Sequence, residues 1–424
     1  MTENLRTTIR TACGGKWGIV LTVLMALAIL GRLGRFLPFF LDPTNFPNSE
    51  YMLSFSGGYV RRGLLGQVML WFCETFGCRP MIPALIFFGG CYVMTVIWFC
   101  RAFIRRRWPI WLVLCPLMCG YVIDLPRKDY LLILLTLSAI YIITRKGNWP
   151  WRTLATTAII LIGILLHEAY IFWGGALAGW LLLCRRDIPA WARAGAAVCA
   201  LGLFAIQCLN HGDASTAAAI TEAWTGILGP EFSNEGIDFL GKSTSQAVAL
   251  HIGLAYLTTW DGLWSIFIQF PLYLVLFFIA SQYPWSFNHS GRRASALLAS
   301  VFIMLTFTML PMFTALSCDH GRNYLYIIAM SYGAILLCPR RMLGHAIPLA
   351  VYRPVYRITR FCRTILRPTY GLMGLLTFVV GVSPYGFATI SMFTNSAYGY
   401  YVTVFSNLLS RFASHFPYLK TLLV

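Results

Sequence analysis

Arginine, lysine, histidine and carboxylates gather in short breaks of an otherwise apolar chain, and their spacing suits chemistry on an anion. The first group is Ser56-Gly-Gly-Tyr-Val-Arg61-Arg62-Gly63-Leu-Leu-Gly66. Its adjacent guanidinium forks match phosphate oxygens, and a helix beginning there would add backbone N–H groups to the same field. The competing reading is that Arg61 and Arg62 bind lipid headgroups or pair with Glu50 or Glu74. The second group is Asp124-Leu-Pro-Arg127-Lys128-Asp129, a tight turn. Here Asp129 can cap a helix, whereas Arg127 and Lys128 call for an anion. The third is His167-Glu168, flanked by apolar segments so short that the pair falls near hydrocarbon depth. Ionisable groups there are costly and mark function unless the turn satisfies them locally. The fourth, Cys318-Asp319-His320-Gly321-Arg322-Asn323, sets an acid, an imidazole and a guanidinium within four residues; a local Asp319–Arg322 salt bridge is its structural alternative. The fifth consists of Asp42 and Glu50, with Arg32 and Arg35 three apart on one helical face. These arginines either line the same cavity or snorkel to the interface.

Membrane helices must position these groups. The chain is 58% hydrophobic and only 11% charged over 424 residues, against about 25% charged in soluble domains. Apolar spans recur near Trp17–Phe40, Met81–Cys100, Pro109–Ile123, Tyr130–Ile143, Leu154–Leu166, Tyr170–Leu183, Ala194–Leu209, Leu263–Ala280, Ala294–Leu316, Asn323–Leu337 and Tyr370–Ile390. The fold expected is therefore all-α: a polytopic transmembrane bundle of about 11 spans forming one domain over 1–424. The first span follows Arg6, Arg10 and Lys16 and reads as an uncleaved signal anchor.

The basic residues orient the bundle. With the N-terminus cytoplasmic, 22 of 33 lysines and arginines fall on the cytoplasmic side and 13 of 15 acids on the other. The positive-inside rule accounts for the first bias. The second calls for a functional or solvation explanation. Gly63–Phe76 would reverse the placement of Arg101–Arg107 if it crossed, so it is expected to lie as an amphipathic juxtamembrane helix in the first outer loop, 41–80. A second long outer loop covers 210–262, with a helix over Ser215–Ile227 and an irregular acidic stretch over Glu231–Lys242. The basic cytoplasmic segment 339–369 places Arg353, Arg357, Arg360, Arg363 and Arg367 on one helical face in a stretch bracketed by Pro354 and Pro368, suited to anionic lipid, with a regulatory partner site as the alternative.

The net charge of +18 serves membrane lipids on this reading and not nucleic acid, since no basic recognition module is present. The 13 cysteines are scattered; Cys73 with Cys78 is a weak signal for a metal or a disulfide, and no metal is assigned to cysteine. There is no Walker A loop, zincin helix or nucleophile elbow.

The stretches Gly58–Gly66, Arg127-Lys128-Asp129, His167-Glu168 and Asp319–Arg322, with the long first outer loop and its juxtamembrane helix, resemble the GT-C class of integral-membrane glycosyltransferases. They are also similar to Wzy-like O-antigen polymerases and to membrane proteins encoded with surface-polysaccharide genes. The resemblance covers most of the chain. It implies a polyprenyl-(pyro)phosphate sugar donor and a glycan acceptor, met at the periplasmic face of the bacterial inner membrane, alone or with other polysaccharide-assembly proteins. The product would be a polymer or a side-chain sugar. A carboxylate or histidine would take the acceptor proton, with Asp42 as first candidate and Asp319 and His167 as rivals. Arg61, Arg62, Arg127, Lys128, Arg322, Glu168 and His320 would bind substrate and its departing phosphate. The resemblance requires no organic cofactor and leaves a divalent metal open. The alternative is a transporter or flippase for a lipid-linked saccharide, which would call for repeats and charge along both membrane halves.

Overall fold

A computed structural model describes residues 16–116, 118–120, 127–242, 245–246, 248–249, 291–316, 320–366, 370–380 and 396–415. The expected span Leu263–Ala280, the end of Tyr370–Ile390, and Asp124, Asp319 and Arg367 lie outside these residues. All regular structure among the described residues is helical. Four helices are long and apolar enough to cross a membrane by length and composition: Lys16–Leu41 (α1), Met81–Arg106 (α3), Trp149–Leu166 (α6) and Ala190–Leu209 (α8). Shorter apolar helices lie among them, including Asp129–Thr144 (α5) and Gly174–Leu183 (α7). The segment Gly63–Phe76 (α2) forms the helix its pattern predicts.

The centre of the molecule is the packing of α5 against α6, α7 and the later helix His320–Leu337 (α11). Apolar side chains cover both sides of α5, as expected of a helix enclosed by others. Two polar layers close the ends of this core. At one end Arg152, in the first turns of α6, donates to Asp187 at 2.6 Å, and Asp187 also accepts from Arg185 at 2.8 Å. At the other, α6 gives way to His167 and a 3₁₀ turn, Glu168–Phe172. The 18 residues of α6 separate these layers by about 27 Å, close to a hydrocarbon core of about 30 Å.

The expected span Pro109–Ile123 is not a continuous helix. Among the described residues of this span only Ile110–Leu114 (α4) is helical; Cys115 then turns the chain, with Gly120 donating its N–H to the Cys115 carbonyl at 2.8 Å. Pro116 cannot donate the hydrogen bond that helix continuation would use. Trp111, Val113, Met118 and Cys119 are nonetheless buried. Irregular backbone is tolerated at this depth because protein surrounds it. The expected span Tyr170–Leu183 likewise begins as a 3₁₀ turn, and Ala294–Leu316 divides into Gly291–Thr308 (α12) and a wider turn, Met312–Leu316.

The two long loops form one cap. Ala214–Leu228 (α13) covers the helix expected over Ser215–Ile227, with Asp213 accepting from the Thr216 N–H at 2.8 Å as its cap. The buried Trp224 indole N–H donates to the Met52 carbonyl at 2.6 Å. The stretch expected to be irregular contains a short helix, Glu235–Asp238, and a 3₁₀ turn, Phe239–Gly241; Gly236 donates its N–H to Ser49 Oγ at 3.0 Å.

Near the C-terminus, Leu349–Leu366 (α14) exposes Arg353, Arg357 and Arg360, while Val355 and Thr359 are buried. Pro354 lies inside this helix instead of marking its start. Ala397–His415 (α15) is a helix that the span pattern did not predict; it packs on α1, where the Arg32 guanidinium donates to the Ser396 carbonyl at 2.6 Å. Arg32 thus holds the start of α15, and Arg35 is exposed.

Candidate functional site

The polar groups separated in sequence converge at the end of the core where α5 and α11 begin and α6 ends. Arg62 reaches it from the start of α2. Its guanidinium makes a bidentate pair with Glu168, Nε at 2.7 Å and Nη2 at 2.5 Å from the two carboxylate oxygens. The backbone of Arg62 is left-handed, with φ 63° and ψ 5°. A non-glycine residue held there costs on the order of 1–3 kcal/mol, a strain that recurs where function fixes a side chain.

Arg127 and Lys128 precede α5 and are buried. Arg127 Nη2 lies 3.7 Å from Glu50, the residue closing the short helix Phe46–Ser49. Asp129 opens α5, yet its side chain is not a cap. It accepts a hydrogen bond from the Tyr326 hydroxyl and faces Arg322 Nε at 3.8 Å. Tyr326 lies one turn after Arg322 on α11, and its ring stacks on Trp173 at 4.2 Å between centroids. The carboxylate facing Arg322 therefore comes from a distant helix.

His167 ends α6, and its Nδ1 accepts the Ala169 N–H at 3.2 Å. Burial, reinforced by the charge of Arg62, lowers its pKa well below the ordinary histidine value. With Nδ1 accepting that N–H, a neutral ring carries its proton on Nε2, and its 3.6 Å approach to Glu168 is then not an ion pair. In this tautomer His167 offers a donor to the site and no free basic nitrogen.

Burial raises the Glu50 pKa, but Arg127, Arg322, Lys128 and Arg62 outweigh it and hold the carboxylate below its usual range. The same contest, won by Arg62, keeps Glu168 ionised. Burial and the charge of Arg62 bring Lys128 down to about 8, against the pull of Glu50, Glu168 and Asp129. Its Nζ has no hydrogen-bond partner among the described residues. A buried ammonium in that position is costly unless something else meets it.

Arg61 sits at the rim. Its N–H donates to the Asn210 carbonyl at 3.0 Å, and its guanidinium lies 5.8 Å from the centre of the Phe239 ring, tying the first loop to the second. His320 begins α11, with its side chain outside the description. Asp42 does not join the cluster. It is exposed and accepts from the Thr44 N–H at 2.9 Å and hydroxyl at 2.7 Å, which lower its pKa. Glu50 enters as the partner of Arg127; Tyr326 and Trp173 were not singled out from sequence. The signal for Tyr326 was its four-residue offset from Arg322, which places both on one helix face.

With His167 neutral, the cluster brings together Arg62, Arg127, Lys128 and Arg322 against Glu50, Asp129 and Glu168 among the described residues. Among the described residues positive charge exceeds negative, and Arg61 at the rim adds to it. Such an arrangement can bind an anion and stabilise charge developing on a leaving group. Three or more His, Cys, Asp or Glu side chains placed to hold a metal do not occur among the described residues. No protein-family model matches this chain, and no curated protein and no solved structure matches it.

Proposed function

We propose that this protein is an inner-membrane glycosyltransferase that transfers sugar from a polyprenyl (pyro)phosphate to a glycan acceptor at the periplasmic face, as a surface-polysaccharide polymerase or side-chain transferase. The observation that carries this reading is the buried Lys128 ammonium, which has no hydrogen-bond partner among the described residues and lies in a cluster whose described residues carry more positive than negative charge. A phosphate oxygen would supply that hydrogen-bond partner. The topology belonging to this reading has about eleven crossings, a cytoplasmic N-terminus and the cluster on the outer side. The 27 Å estimate between polar layers supports that arrangement. So does the lack of charged residues from Tyr130 to Thr144, from Thr153 to Leu166 and from Asn323 to Leu337, which favours transfer at one face over a charged transport path.

In the reaction the acceptor hydroxyl oxygen bonds to the anomeric carbon while the bond from that carbon to the phosphate oxygen breaks. The bonding pair leaves on phosphate, where Arg62, Arg127, Lys128 and Arg322 disperse the charge. A carboxylate takes the hydroxyl proton. Thr44 holds Asp42 in a low-pKa turn, and His167 carries its proton on Nε2. We therefore assign the base to Asp319, three residues before Arg322 in the chain, with His167 Nε2–H a donor to substrate. His320 and Glu168 complete substrate binding and the orientation of Arg62.

The test is the surface glycan of a strain lacking the gene, complemented with variants. Loss of chain length with single repeat units retained identifies a polymerase, and loss of one branch sugar identifies a side-chain transferase. R62A, R322A and D319N should each fail to restore glycan while reaching the membrane at wild-type level. Wild-type glycan from all three would overturn the site.

A further inference from the structure

The C-terminal end of α2 closes with an unusual pair. Gly77, at φ +59°, turns the chain back, and the Cys78 N–H donates to the Cys73 carbonyl at 3.3 Å. This six-residue closure lays the second residue beyond a helix over the third from its end. An apolar contact normally completes it. Here both positions are thiols. Cys73 is buried, Cys78 is half-buried, and the Cys73 thiol has Cys78 as a hydrogen-bonding neighbour. A disulfide needs Cα atoms about 4.4–6.8 Å apart, and this closure folds the two residues back onto one another.

We propose that Cys73 and Cys78 are joined by a disulfide that clamps the end of α2, the helix whose other end presents Arg62. The inference rests on the reading above that α2 lies at the periplasmic face, where disulfides persist. The partly exposed Cys78 thiolate attacks the disulfide of an extracytoplasmic thiol oxidase, forming a mixed disulfide and releasing one oxidase thiol. Cys73 then displaces the second oxidase sulfur. Two protons leave the cysteines, and their two electrons reduce the oxidase disulfide to a dithiol. Burial and the neighbouring Cys78 push the Cys73 thiol up to about 12, so it is the poorer first nucleophile and reacts only once the mixed disulfide is held beside it. Cys115 and Cys119 are also close in sequence, but both are buried within the helical layer beyond reach of an oxidase.

The experiment uses the full-length protein from native membranes. Thiols are alkylated in denaturant without reductant, and chymotryptic fragments are weighed. The fragments bearing Cys73 and Cys78 should remain joined and unalkylated, two hydrogen masses below the dithiol, and should accept two alkyl groups after reduction. Cys115 and Cys119 should be alkylated directly. A second arm labels a Ser56→Cys variant in intact, outer-membrane-permeabilised cells with a membrane-impermeant maleimide; Ser56 is exposed on the same loop. Direct alkylation of both Cys73 and Cys78, with Ser56→Cys labelled from outside, would overturn the disulfide and leave the topology standing. Direct alkylation with Ser56→Cys unlabelled would overturn both.

Discussion

At the scale of single residues, Lys128 and Glu168 give the sharpest tests. The Lys128 ammonium releases its proton near pH 8, below the ordinary 10.5. Between those values the unfolded chain holds a proton that the folded chain has lost, so this group's contribution to stability rises with pH across the window. Anion binding runs the opposite way, because it uses the charged form. Turnover, or affinity for pyrophosphate measured by calorimetry, should fall as pH passes about 8 in the wild type. K128R should remove that fall, since guanidinium stays charged there. E168Q tests the other half of the cluster. Arg62 would lose its ionic partner while keeping a quarter of its side chain exposed, so the cost in stability should be about 1.5–3 kcal/mol, read from detergent thermal melts. R62A should reduce transfer by about 100-fold or more, if its guanidinium meets the leaving phosphate as proposed.

Among the elements, α2 is held by close backbone approach. A Cβ on Gly66 would lie 1.9 Å from the Leu53 carbonyl oxygen, so G66A must push α2 off the segment beneath it. The expected loss is about 1–3 kcal/mol, with lower yield of folded protein after solubilisation. Gly89, on α3, has nothing within 4 Å of its Cβ position, and G89A should be neutral or slightly stabilising in the same melt. These elements differ in how legible they were. The amphipathic pattern of Gly63–Phe76 identified α2 with its observed boundaries, and the run Ser215–Ile227 signalled α13 without its Asp213 cap. The bend after α4 was hidden because Pro109–Ile123 is uniformly apolar, and hydrophobicity alone does not separate a helix from a buried irregular return. The cluster itself was visible as residue types. Its pairings were not: Arg62 with Glu168 and Asp129 with Arg322 are set by helix packing across more than a hundred residues, beyond what local spacing encodes.

For the molecule as a whole, the two polar layers make a prediction about sidedness. Single cysteines at Ser56 and at Arg186 should label from opposite sides of the membrane, and labelling of both from one side would break the proposed topology. The interrupted α4 region carries a further consequence for biogenesis. A five-residue helix ending at a proline turn cannot partition into lipid by itself, since its open carbonyls and amides would face hydrocarbon. It must wait beside the translocon until α5 has been made, then enter the bilayer shielded between its neighbours. Membrane-inserted fragments truncated before residue 129 and released from the ribosome should therefore leave this stretch open to protease, and those truncated after residue 144 should not.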